Sequence, residues 1–106
     1  MRLTHLARLF SYRAGILKRL LRLDEAEADL HIAEAYATRD YEIGDIKYNL
    51  AAVYALGGQR EKLLEVIQDL QQSAPKELSN IRARLHDYFR PYANDHAFLK
   101  AISGER

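Results

Sequence analysis

The sequence predicts an all-α fold, a stack of antiparallel helix pairs. Three observations point there. Apolar residues recur at three- and four-residue steps along most of the chain. Turn signals, Gly57-Gly58, Pro75 and Pro91, interrupt them at short intervals. The nine-residue step from Leu17 to Ala26 is repeated between Tyr54 and Leu63, so two segments share one plan.

The elements follow in order. Leu3, Leu6, Phe10, Leu17, Leu20 and Leu21 mark a first helix over about 2–21, with Gly15 beside Ala14 as an expected close-packing point between helices. Asp24 with Glu27 three residues later signals the N-terminus of a second helix, which runs to about Thr38 and buries Ala26, Leu30, Ala33 and Tyr36. Arg39 to Gly44 reads as a polar link. A third helix spans about 45–56 and a fourth about 59–72, with Gly57-Gly58 supplying the left-handed backbone between them. Pro75 suits the first turn of a fifth helix, which carries Leu78, Ile81, Leu85, Tyr88 and Phe89 to about Arg90. Pro91 stops it. Asn94 or Asp95 caps a short last helix bearing Phe98, Leu99 and Ile102, and residues 103–106 are expected to fray.

With 106 residues the chain makes one domain, able to bury roughly two-thirds of its unfolded surface. The absence of cysteine excludes disulfides and thiolate chemistry and fits a cytoplasmic protein. No apolar run approaches the ~20 residues of a membrane span, and Arg8, Arg13 and Lys18 break up any secretory leader. Net charge is +1, unevenly spread: residues 1–23 hold six basic residues and no acidic one, whereas residues 24–46 hold eight acidic residues against Arg39 alone. A basic helix of this kind can meet nucleic acid phosphates, an anionic membrane or an import receptor as a mitochondrial presequence. Pairing with the acidic helix beside it needs no outside partner and is the expectation, so neither nucleic acid nor membrane is expected as a partner.

The repeated segments resemble the tetratricopeptide repeat (TPR) family. The family pattern sets Trp-x₂-Leu-Gly-x₂-Tyr on one helix, Ala-x₃-Phe on the next and then Pro. Leu50-Ala51-x₂-Tyr54, Leu63-x₃-Ile67 and Pro75 follow it, with Lys47 in the Trp slot. Upstream, Phe10 fills the Trp slot, followed by Ala14-x₂-Leu17, Ala26-x₃-Leu30 and Ala33, with Arg13 in the Leu slot. Leu85 and Phe89 restart the pattern before Pro91 truncates it. The resemblance implies a TPR-like α-solenoid of five helices plus a short C-terminal helix: one repeat over about 5–38, one over about 45–75, and a partial repeat or cap over about 76–102.

It also implies a function, a non-catalytic adaptor or scaffold that binds a protein or peptide in a concave groove. Groove residues carried over are Tyr12, Lys18, Arg19, Tyr48, Asn49, Ala52, Asn80 and Arg84. Family members that bind chaperone C-termini clamp the terminal carboxylate with Lys, Asn and Arg. Asn49 and Arg84 match two clamp slots, but Ser11, Gly15 and Asn80 depart from the others. A short array leaves apolar edges, so a homodimer is expected, and self-assembly is the alternative function. Anionic-surface binding through the first helix is a weaker one.

Catalytic chemistry is not expected. None of His5, His31, His86 and His96 has a second histidine four residues away. His86, Asp87, Asp95 and His96 surround Pro91, where Asp and His could hold zinc, but a capped, solvated turn is the expectation there. Glu25, Glu27, Asp29 and Glu34 read as a solvated face. No phosphate loop, nucleophile context, metal site or cofactor motif is present in the sequence.

Overall fold

The computed structural model describes residues 3–104; the expected helix start at residue 2 and the last two residues, 105–106, of the segment 103–106 expected to fray lie outside them. The elements are α1 (Leu3–Arg19), α2 (Leu23–Tyr36), α3 (Asp40–Leu56), α4 (Arg60–Ser73), α5 (Glu77–Ala83), the 3₁₀ turn η1 (Arg90–Tyr92) and α6 (His96–Ile102). No strand occurs among the described residues. The fold is all-α, a helical repeat 44 × 29 × 21 Å in extent.

Three-residue turns join α1 to α2 and α3 to α4, which forces each pair antiparallel. Both turns use one hydrogen-bond plan. Leu21 N bonds to Lys18 O and Arg22 N to Leu17 O; 37 residues on, Gly58 N bonds to Ala55 O and Gln59 N to Tyr54 O. Both helices of the first pair contact α3, and both helices of the second contact α5.

Burial repeats with the same 37-residue step. Ala14 and Ala51, Leu17 and Tyr54, Ala26 and Leu63, Leu30 and Ile67, and Ala33 and Leu70 are all buried. Small residues at 14, 26, 33 and 51 let the helix axes approach, and larger neighbours fill the space between. Phe10 and Leu85 are half-buried against this core, and Phe89 lies wholly inside it. Pro75 is exposed. It follows the end of α4, where a helix cannot continue.

Several boundaries differ from expectation. Arg22, not Asp24, holds the N-cap position of α2 and makes no capping bond; Asp24 lies in the first turn, where a carboxylate suits the helix dipole. The expected polar link at 39–44 is mostly helix. The buried Glu42 accepts a hydrogen bond from Arg39 N at 3.2 Å and so closes the first turn of α3. Gly44 belongs to this added turn, and a Cβ there would stand 3.2 Å from Ala74 Cβ. Gly44, not Gly15, is the close-approach glycine, since nothing lies within 4 Å of a Cβ at Gly15.

The fifth helix stops at Ala83 instead of Arg90. Beyond it the backbone tightens into i→i+3 bonds from Arg84, Leu85 and Asp87, then a wider bond from Phe89 N to Arg84 O. These turns set Phe89 against Tyr48 (ring centroids 6.2 Å) and Phe98 (5.8 Å). Asp95 caps α6 by accepting from Phe98 N at 3.1 Å, and it holds Arg60 of α4 at 2.8 Å. Gln71 and Arg82 donate to the carbonyls of Ala101 and Ile102. α6 therefore closes the C-terminal end of the stack.

Candidate functional site

Helices α1 and α3 and the turns after α5 present one polar deck, and Lys18 is its centre. In the repeat register Lys18 corresponds to Ala55, an interior slot, and its side chain is only 5% exposed. Nζ donates to Asn49 Oδ1 at 2.9 Å and lies 4.3 Å from the centre of the Tyr88 ring and 6.0 Å from that of Tyr48. Asn49 is itself fixed by donating to Asp45 O, one turn back on α3. Ser11 Oγ of α1 reaches Asp45 Oδ2 at 3.4 Å.

The charges around Lys18 are mixed. Arg19 and Arg84 oppose its cation, while Asp45 and Asp87 favour it. No carboxylate of the described residues comes within ion-pair distance of Nζ, and Asp87 is engaged by Arg84 at 3.3 Å. Burial is the largest influence and pulls the Lys18 pKa below the ordinary lysine value. Burial likewise pushes Asp45 and Tyr48 upward, and the Arg84 guanidinium opposes the shift at Tyr48.

The expected groove residues therefore divide. Lys18, Tyr48 and Asn49 come together, with Arg84 beside Tyr48. Arg19 and Asn80 are exposed, Asn80 being bonded to Glu77 within its own helix. Tyr12 is also exposed and lines a pocket of about 180 Å³ between α1 and α3, with Arg8, Ser11, Glu42 and Ile46. Ala52 is wholly buried and cannot line a groove. Ala52 belongs to the hydrophobic core, and the turns after α5 bring Phe89 and η1 onto the same helix. Tyr88 belongs to the deck, but its i+3 and i+7 spacing from Leu85 and Ile81 suggested a core position.

Elsewhere the polar groups satisfy one another. Tyr54 donates to Glu27 Oε2 at 2.9 Å, with Lys62 at 3.6 Å and His31 at 3.3 Å from the same oxygen. Burial pushes the Tyr54 hydroxyl far up, with the Glu27 carboxylate adding to it. Arg13 reaches the buried Asp29 across the α1–α2 interface at 2.7 Å; Asp29 Oδ2 receives no well-angled hydrogen bond, so charge more than direction holds this pair. This is the one direct contact of the expected pairing between the basic and acidic helices among the described residues. Near Pro91, Asp95 is engaged in capping and Asp87 in its arginine pair, and no three ligating side chains among the described residues gather to hold a metal. No helix of the described residues is long and apolar enough to cross a membrane.

The deck offers an ordered cation with donor capacity left over, an amide, two aromatic rings and a guanidinium. No protein-family model matches the chain, and no curated protein or solved structure matches it significantly.

Proposed function

We propose that the chain is a non-catalytic, TPR-like adaptor, working in the cytoplasm, whose deck binds a peptide through an acidic group. One observation carries this reading. A buried lysine without a carboxylate partner stands where the other repeat has alanine. Desolvating a cation is costly unless something compensates, and a π-face and a neutral amide compensate only in part. A carboxylate brought by a ligand would complete the shell.

The neighbours suit the same ligand. Arg84 and Arg19 flank the deck, and Tyr48 and Tyr88 give it flat apolar area. Tyr and Arg dominate the energetics of protein interfaces. The Lys, Asn and Arg of the carboxylate-binding family members have counterparts here in Lys18, Asn49 and Arg84, with the lysine supplied from a different position of the first helix. Lys18 lies in the floor, so the ligand must present an acidic group on a narrow, extended segment.

An array of seven-residue peptides with free carboxyl termini, and the same array amidated, tests this directly. Acidic peptides should be retained, and Lys18→Met and Arg84→Glu should each weaken binding at least tenfold, about 1.4 kcal/mol. Peptides retained equally by wild type and Lys18→Met, or none retained at all, would sink the reading.

A further inference from the structure

A second surface, on the far side of α1 from the deck, carries an independent argument. Leu9 is 57% exposed and Ile16 44%, whereas Ile46 and Val53, which follow them by the 37-residue step, are each 1% exposed. Arg13, between the first two, is also exposed, whereas its counterpart Leu50 is buried. Among the described residues of the two helix pairs, every switch from exposed to buried, His5/Glu42 included, falls on this one helical face. The first helix pair covers that face on α3. Among the described residues nothing covers it on α1.

The stripe continues through Leu20 and borders a shallow depression of about 410 Å³ lined by Leu6, Leu9, Phe10, Tyr12, Arg13 and Ile16. Beside it on α2 stands Ile32, also exposed, three residues beyond the Asp29 that holds Arg13. The exposed Ala28 and Ala35 flank Ile32 at four and three residues, so α2 offers shallow positions around one apolar side chain. Among the described residues, every large apolar side chain that is exposed lies between Leu9 and Tyr41.

We propose that a second copy of this chain covers the stripe, with α1 of each protomer lying on α2 of the other. Charge selects this pairing. α1 carries the exposed cations Arg8, Arg13 and Arg19 and no anion, whereas α2 carries Asp24, Glu25, Glu27, Asp29 and Glu34 and no lysine or arginine. Laying α1 on the partner's α1 opposes like charges. Docking α1 on the partner's C-terminal end meets Arg90, His96 and Lys100, with no large exposed apolar side chain there. Laying α1 on the partner's α2 joins opposite charges, and large side chains meet the alanines around Ile32. A two-fold axis makes both halves of the contact equivalent.

Light scattering on the full chain tests the state at up to about 300 µM, where a micromolar interface is filled. Twice the 12.2 kDa chain mass is expected. Leu9→Glu with Ile16→Glu should give a monomer of unchanged helical circular dichroism, and so should Ile32→Arg. Lys18→Met should leave the dimer intact, which separates this proposal from the peptide reading. A wild-type monomer overturns the proposal, as does a dimer that survives either apolar-to-charged change. Should those variants lose helicity, the cysteine-free background supplies a second route. Ile16→Cys and Ile32→Cys chains, mixed with a short bis-maleimide, should cross-link to each other in preference to themselves. Equal or lower mixed yield overturns the pairing.

Discussion

Leu21 and Gly58 hold the same left-handed backbone position at the turns of successive helix pairs, with φ of 59° and 70°. Glycine takes this conformation freely; a residue with a Cβ resists it. Leu21 is two-thirds exposed, so its side chain recovers little by packing. Leu21→Gly should therefore stabilise the protein by about 0.5–1 kcal/mol. The urea midpoint should rise with unchanged slope, and Gly58→Leu should lower it.

Two glycines inside helices should respond in opposite directions. A side chain at Gly44 meets Ala74 Cβ at 3.2 Å and Glu77 Cγ at 3.4 Å. Gly44→Val should cost about 1–3 kcal/mol through overpacking where α3 meets the start of α5. Gly15 has open space around it. Gly15→Ala should add up to about 1 kcal/mol from helix propensity. Thermal melts of the two variants, moving down and up respectively, check the assignment.

Acid should loosen the C-terminal cap. The Arg60 side chain, followed by the Phe98 N–H, holds the Asp95 carboxyl down at about 2. An aspartate in the unfolded chain titrates near 4. With the folded value depressed, its contribution is complete above about 4 and is lost as pH falls toward about 2. Asp95→Asn should remove that part of the acid sensitivity, read as a flatter dependence of stability on pH in this window. A slope unchanged by the substitution would contradict the account.

Lys18 should trade stability for binding. Burial lowers its folded pKa, so over the interval up to the unfolded value near 10.4 the unfolded chain holds more protons. Stability linked to Lys18 therefore rises as pH climbs through that interval. Lys18→Met should stabilise the protein at neutral pH by about 1 kcal/mol, with the gain shrinking toward alkaline pH, while peptide retention falls. Urea titrations at pH 7 and pH 10 separate this from a simple packing change, which would be pH-independent.

The helix pairs were legible because burial follows helical spacing, and the spacing recurs. Ala14, Leu17, Ala26 and Leu30 all lie where their counterparts predict. Boundaries were harder. The segment at 39–44 is polar, yet Glu42 and Gly44 are buried, one by capping and one by close approach. No composition rule distinguishes these from a solvated link. Phe89 has helical spacing, but its position depends on Tyr48 and Phe98, distant in sequence. The deck was legible in part for the same reason. Its residues were visible on α1, on α3 and in the segment after Pro75, but only the folded structure shows that Lys18 and Ala52 are buried.

The closed C-terminal end has a consequence for assembly size. Asp95 and Arg60 fasten α6 over α4, so the stack has one finished face and one unfinished face. Two copies joined through their unfinished faces leave only finished faces outward. Such a contact uses up the surface that made it, and growth stops at two, whereas a stack open at both ends would elongate into filaments.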